Sequence, residues 1–300
     1  MNRKDLLQDI RLKPIKIVPG RRVISMTPGE WTSPFTGKGF ETKGFRDFEL
    51  GDDLRAIHLA TSVRRSVPTI VERVALRDLT VVVVLDLSPS MLVRKKIDIQ
   101  ITAAALLLYS AWQAETTFGL SIQNGDSVKS FGCSIGTRHF YKLYEKLWQI
   151  YLSHGSNQAG LGRKMHLRRS FPQSSIIFFC SDFLNGSGEL INIIHLWRQT
   201  HRYDFIPVII QDEFEYTFPK ITLSTFLDFY NPETGGQDEL WISKDDSEEI
   251  QAINELRYKN LTELFNKNNT FTIHIPKLSV SDIAMNFIKF FEGRKRRGTK

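Results

Sequence analysis

Asp86, Ser88 and Ser90 stand two residues apart in the stretch VVVVLDLSPSM, residues 81–91. In an extended loop that spacing aims one carboxylate and two hydroxyls into the same concavity. Hard oxygen donors of this kind are the set Mg²⁺ prefers, with waters completing its octahedron. The other reading of the same residues is a polar turn in which Ser88 or Ser90 caps a helix. A second acid stands in an equivalent place, because Ser181-Asp182-Phe183 follows the apolar run IIFFC. Two strand-end carboxylates in one sheet are what a metal site assembled from loops requires.

Such a site needs strands to carry it and loops feeding into helices beside it. From Leu79 onward, buried strand patterns alternate with amphipathic segments. LTVVVVL is a run of β-branched residues of the kind found in a strand covered on both faces. A helix is expected over residues 96–114, then two strands around Asn124-Gly125-Asp126, a hairpin signal. A helix over 138–152 carries Phe140, Leu143, Tyr144, Leu147 and Tyr151 on one stripe. Next come a strand at 174–180, a helix at 189–200, a strand at 203–210 and a hairpin within 221–229. The chain then reads as a polar helix from about 247 to 266, a strand at 271–276 and a helix at 281–294. Alternation of this kind predicts an α/β fold, with a mostly parallel, Rossmann-like sheet flanked by helices. Ligands then bind outside the carboxyl ends of the strands, which is where Asp86 and Asp182 stand.

The first 77 residues differ, being rich in Gly, Pro and Thr with short alternating stretches such as PTIVERVALRDL. They read as a β-rich N-terminal extension (1–77) ahead of the α/β domain (78–300). One helix is expected there at DDLRAIHLATSVRR, capped by Asp52 or Asp53, with Pro68 after its end.

Composition narrows the function classes. A 300-residue chain that is 41% hydrophobic and 24% charged reads as an ordinary soluble globular protein. No apolar run reaches the ~18 residues of a membrane span, and the first residues lack the apolar core of a secretory signal. Cys133 and Cys180 make neither a disulfide framework nor a zinc set, so a cytoplasmic protein with a buried Cys180 thiol is expected. The net charge of +7 raises nucleic-acid binding as an alternative. Basic residues are scattered, however, apart from Arg64-Arg65, Arg168-Arg169 and the tail Arg294-Lys295-Arg296-Arg297, which a solvated terminus explains. A metal-dependent hydrolase is the other alternative, although the sequence offers no phosphate loop, no H-E-x-x-H and no G-x-S-x-G.

The D-x-S-x-S stretch with a later Ser-Asp resembles the metal-ion-dependent adhesion site of von Willebrand factor A domains. The resemblance implies Ser88 and Ser90 as direct metal ligands, Asp86 as a ligand through water and Asp182 as the third-loop acid. Where that family often has Gly-Thr-Asp-Leu, this chain has Gly155-Ser156-Asn157-Gln158 within HGSNQAGL. Ser156 is then the nearest hydroxyl for the fifth position, with Asn157 in place of the family's acid.

The stretch SPFTGKGFETKGFRDFELGDDLRAIH, residues 33–58, resembles a narrower group, the bacterial domain-of-unknown-function family 58. Ser33, Pro34, Gly37, Gly39, Glu41, Arg46, Gly51, Asp52, Asp53, Arg55 and Ile57 match its pattern in register. Phe48 replaces a tyrosine, and His58-Leu59 replaces Asp-Trp. QDEFE at 211–215 and DFYNPETG at 228–235 resemble later family positions. What this implies is a non-enzymatic, Mg²⁺-dependent (or other divalent cation) interaction protein working with a MoxR-type AAA ATPase or its client. For GDDLR at 51–55 an architectural role is expected, with Asp52 and Asp53 capping and Arg46 or Arg55 pairing with an acid. His58 is expected to pack on its helix.

Overall fold

The computed structural model describes residues 2–17, 41–48, 57–74, 80–93, 95–124, 127–153, 175–184, 203–230, 235–268, 270–276 and 279–298. Residues 1–26 and 80–300 form one compact unit, and 27–79 a second. The chain opens with α1 (Arg3–Arg11), a part of the larger unit. Asn2 caps it by accepting from the Lys4 N–H, and Leu6 and Ile10 are its buried residues.

In the smaller unit β1 (Glu41–Asp47) pairs antiparallel with β2 (Thr69–Val74). Between them lies α2 (Leu59–Arg65), shorter than the sequence suggests. Ile57 takes part in a bridge and His58 is extended (φ −92°, ψ 94°), so the helix starts only at Leu59. His58 is an exposed N-cap rather than a packed side chain, its ring nitrogen accepting from the Thr61 N–H at 3.2 Å. Left-handed Ser66 ends the helix ahead of Pro68, as expected. Asp52, Asp53 and the rest of GDDLR lie outside the described residues.

The larger unit is built on β3 (Thr80–Asp86), β4 (Thr117–Asn124), β5 (Ser127–Ser134), β6 (Ser175–Ser181), β7 (Asp204–Ile209) and a later short strand. Between these strands run α3 (Lys96–Gln113) and α4 (Thr137–Ser153). After β7 come the short α5 (Glu213–Tyr216), β8 (Thr225–Tyr230), β9 (Gln237–Ile242) and α6 (Lys244–Lys267). The short strand β10 (Ile273–His274) and α7 (Val280–Gly298) complete the fold.

The sheet runs β10-β7-β6-β3-β4-β5, parallel throughout except for the β4–β5 hairpin. Chain order therefore reverses between β3 and β6, the switch point where doubly wound sheets open a crevice. Because β-branched Val81–Val84 are buried on both faces, β3 becomes the central strand. On one face Val82, Val84, Ile177, Phe179, Phe205 and Ile209 pack with Leu261 and Phe265 of α6. On the other, Phe178 meets Phe287 and Phe291 of α7 with ring centroids 6.1 Å apart in each case. Each such fully buried side chain contributes about 1.5–3 kcal/mol.

Two sequence expectations need correction. Instead of a hairpin within 221–229, only β8 forms there, and its antiparallel partner is β9, which left-handed Gly235 (φ 73°) precedes. Helix α1 was not foreseen, since it buries only two apolar residues. The helix expected at 189–200 lies outside the described residues, and no described helix is long and apolar enough to cross a membrane.

Two substitutions test this packing. Gly119 on β4 faces Cys133 on β5 so closely that an added Cβ would lie 2.5 Å from its Sγ and 2.8 Å from the Gly132 carbonyl. Gly119→Ala should destabilise by about 1–3 kcal/mol in urea unfolding, because one contact is unyielding backbone. His274 lies beside the Tyr216 and Tyr258 rings, its Nε2 has no partner among the described residues, and burial lowers its pKa to about 4. The unfolded chain then binds a proton that the folded one refuses, so this contribution to stability is lost as pH falls from about 6.5 towards 4. His274→Phe should flatten the pH dependence of unfolding in that window, and an unchanged slope would assign it to other groups.

Candidate functional site

Asp86 ends β3, and its carboxylate folds back over the following loop. Oδ1 accepts from the Ser88 N–H at 2.8 Å, and Oδ2 accepts from the Ser181 hydroxyl at 2.6 Å. The first of these bonds turns the chain into a short 3₁₀ segment, Pro89–Leu92. Ser88 occupies its N-cap position without making a side-chain cap bond. Its hydroxyl instead lies 3.1 Å from that of Ser90, and both serines are buried. The loop is therefore a turn rather than an extended strip, yet it still brings the two hydroxyls together.

The next strand of the sheet supplies Asp182. Its Oδ1 accepts from the Leu184 N–H at 3.1 Å. Phe183, between them, takes a positive φ of 53°, a strained choice for a bulky residue. Packing holds it there, with ring centroids 5.4 Å from Phe265 and 5.7 Å from Phe179.

Asp182 Oδ2 accepts from the Lys96 ammonium at 2.8 Å, and the same ammonium reaches Glu215 Oε1 at 2.5 Å. Lys96 is fully buried at the first turn of α3, where the helix dipole disfavours a cation. Only the two carboxylates, brought from β6 and α5, make that placement tolerable. Glu215 is itself fixed by a capping box with Asp212. Burial raises the Glu215 pKa, and Lys96 works against that rise. For Asp86 burial again raises the pKa, opposed by its bonds to Ser181 and Ser88 and reinforced by the nearby Asp182 charge.

One helical turn past Lys96, the Gln100 amide donates to the Asp86 carbonyl at 2.8 Å and the Cys180 carbonyl at 2.9 Å. Gln211, after β7, donates to the Asp182 carbonyl at 2.7 Å. Side-chain amides thus tie the ends of adjacent strands where the ladder runs out.

Of the five residues singled out from sequence, four gather at this edge: Asp86, Ser88, Ser90 and Asp182. Ser156 lies outside the described residues. Sequence reasoning missed Lys96, Glu215, Ser181 and the two glutamines as parts of the site. One signal existed for Lys96, a lysine opening a helix whose following residues are mostly apolar.

The donor set fits a small divalent cation. Neighbouring vertices of an octahedron with bonds near 2.1 Å lie about 3.0 Å apart, close to the Ser88–Ser90 separation. A carboxylate offers about four lone-pair directions, and part of that capacity is taken by Ser88 and Ser181 in Asp86 and by Leu184 and Lys96 in Asp182. Their remaining capacity suits hydrogen bonds from a cation's waters. Among the described residues no three His, Cys, Asp or Glu side chains gather as a metal site.

Fold and site together define an α/β protein with a charged, hydroxyl-bearing centre at the switch point of its sheet. The chain belongs to the family described as protein of unknown function DUF58, which it matches over residues 44–253. No curated protein matches it in sequence. Among solved structures, the PilB minor pilin from Streptococcus sanguinis is 10% identical over 76% of this chain and 64% of that one, with a TM-score of 0.37. A point variant of that pilin is 12% identical over 75% and 64%, with a TM-score of 0.34. The pilus adhesin SpaC from Lactobacillus rhamnosus GG is 10% identical over 73% and 31%, with a TM-score of 0.32. The chain thus spans less than two thirds of these proteins, and scores so low carry neither fold nor function across.

Removing the buried ammonium tests how far the centre depends on it. Lys96→Met leaves two carboxylates without their counter-ion and should destabilise by about 3–5 kcal/mol in urea unfolding. A loss below about 1 kcal/mol would mean that the triad is not what holds these elements together.

Proposed function

We propose that the chain is a von Willebrand factor A-like interaction protein that binds its partner through a divalent cation, Mg²⁺ first, at this strand-end centre. The observation that carries the reading is the pair of buried Ser88 and Ser90 hydroxyls, 3.1 Å apart beside Asp86 at the switch point. Ser88 and Ser90 would hold the ion directly. Asp86 and Asp182 would orient its waters, and Ser156 would be the further hydroxyl. When bound, the ion supplies a Lewis-acidic position for a carboxylate oxygen of the partner.

The remaining residues serve that contact by staying still. Ser181 fixes the Asp86 carboxylate, and Lys96 neutralises one of the two charges on Asp182 and Glu215. In line with the family resemblance, the partner class is a MoxR-type AAA ATPase or a client delivered to it, in the cytoplasm and without chemical turnover by this chain.

Two measurements test the proposal. Millimolar Mg²⁺ should raise the melting temperature of the wild type but not of Ser88→Ala/Ser90→Ala, because a ligand that binds only the folded state stabilises it. Pull-down of a MoxR-type ATPase should be lost in EDTA and in Asp86→Ala/Ser88→Ala. Capture that survives both treatments would refute the metal bridge.

A further inference from the structure

Strands β8 and β9 form a two-stranded ribbon that joins no larger sheet among the described residues. Among the described residues each strand therefore has one unpaired edge, the arrangement that ordinarily invites another strand. Natural edges are blunted by Lys or Pro, yet TFLDFY and QDELWI contain no Lys, Arg or Pro.

One face is anchored, with Ile242 buried and Leu227 and Phe229 half-buried. The other is open. Cross-strand pairing puts Phe226 opposite Trp241, Asp228 opposite Glu239 and Tyr230 opposite Gln237 on that face. Phe226, Trp241 and Tyr230 are 58%, 56% and 53% exposed, and the Phe226 and Trp241 rings meet edge to face at 4.7 Å.

The charges on the ribbon are all of one sign. Asp228 directly opposes Glu239, while Asp238 stands on the other face, opposite Phe229. None of these three makes an ion pair with a described residue. Like charges directly opposite each other destabilise an antiparallel pair. Such a pair, with exposed aromatic rings beside it, suits a cation-bearing neighbour.

We propose that the β8–β9 ribbon is a docking surface for an extended, lysine- or arginine-bearing segment of a partner protein. The segment adds its backbone to an open edge. Its cations sit by Asp228 and Glu239 and over the rings of Trp241 and Phe226. The excess of negative charge on the ribbon, in a chain of net charge +7, selects a basic occupant. This surface is separate from the strand-end centre and does not rest on the metal reading.

The test uses the full chain and a fluorescently labelled short peptide of alternating lysine and valine, with its glutamate–valine counterpart as control. Support requires that the lysine peptide binds, with and without EDTA, and that the glutamate peptide does not. Asp228→Asn/Glu239→Gln and Trp241→Ala should each weaken binding by about tenfold, and high salt should weaken it further. The double variant removes a like-charge pair, so its melting temperature should be equal to or above the wild type's, which separates lost binding from lost folding. Failure of the lysine peptide to bind, equal binding of both peptides, or indifference to the double variant would overturn the proposal. Binding that disappears in EDTA would assign the peptide to the strand-end centre instead. Self-association of the chain that is lost in Trp241→Ala would make a second copy the occupant, and would equally overturn it.

Discussion

A single ammonium group, Lys96 Nζ, sits where three distant parts of the chain converge. It lies at the first turn of α3 and contacts acids 86 and 119 residues further along. Removing such a cation from water costs several kcal/mol, repaid only when good partners surround it. The structure supplies them by fixing both acids through backbone: Asp182 by the Leu184 N–H, Glu215 by its capping box. The pairing ties the first turn of α3 to Asp182 at the end of β6 and to Glu215 of α5. Three carboxylates, Asp86, Asp182 and Glu215, against this one ammonium leave a formal surplus of two negative charges at the edge of the sheet.

The switch point adds a second constraint. Parallel strands diverge there, and the seam between β3 and β6 ends at the Asp86 and Cys180 carbonyls. Gln100 spans the gap by donating to both. Because Gln100 and Lys96 share one side of α3, a single helical turn supplies both the charge and the amide that close the crevice floor. The amide oxygens of Gln100 and Gln211 are buried without partners among the described residues. Their donor halves hold the strand ends together.

Much of the fold could be read from periodicity because its elements are locally determined. The Val81–Val84 run, the Phe140–Leu143–Leu147 stripe and the Asn124-Gly125-Asp126 turn each announce an element without reference to distant residues. What escaped was decided by long-range partners. Glu215 lies in a polar stretch whose residue types fit a surface turn, and only its contact with Lys96 gives it weight. β9 was overlooked because QDELWI has three polar residues in its first half and becomes a strand through register with β8. His58 was misread since its capping bond to Thr61 depends on a backbone angle that sequence does not announce. The acids and hydroxyls of the centre were legible as residue types at strand ends, but the lysine between two of them was not.

Charge is handled in opposite ways in two parts of the larger unit. At the switch point Asp182, Glu215 and Lys96 satisfy one another, and the surrounding donors leave them little freedom to move. On the β8–β9 ribbon, Asp228 and Glu239 face each other across the strands with no ion pair to a described residue. Packing explains the first arrangement, since burial would be prohibitive otherwise. Packing cannot explain the second, because the ribbon is exposed and an Asn or Gln would fill the same space without repulsion. A sequence that keeps an unfavourable pair where a neutral one fits carries a local conflict, and such conflicts are expected where a second molecule completes the surface.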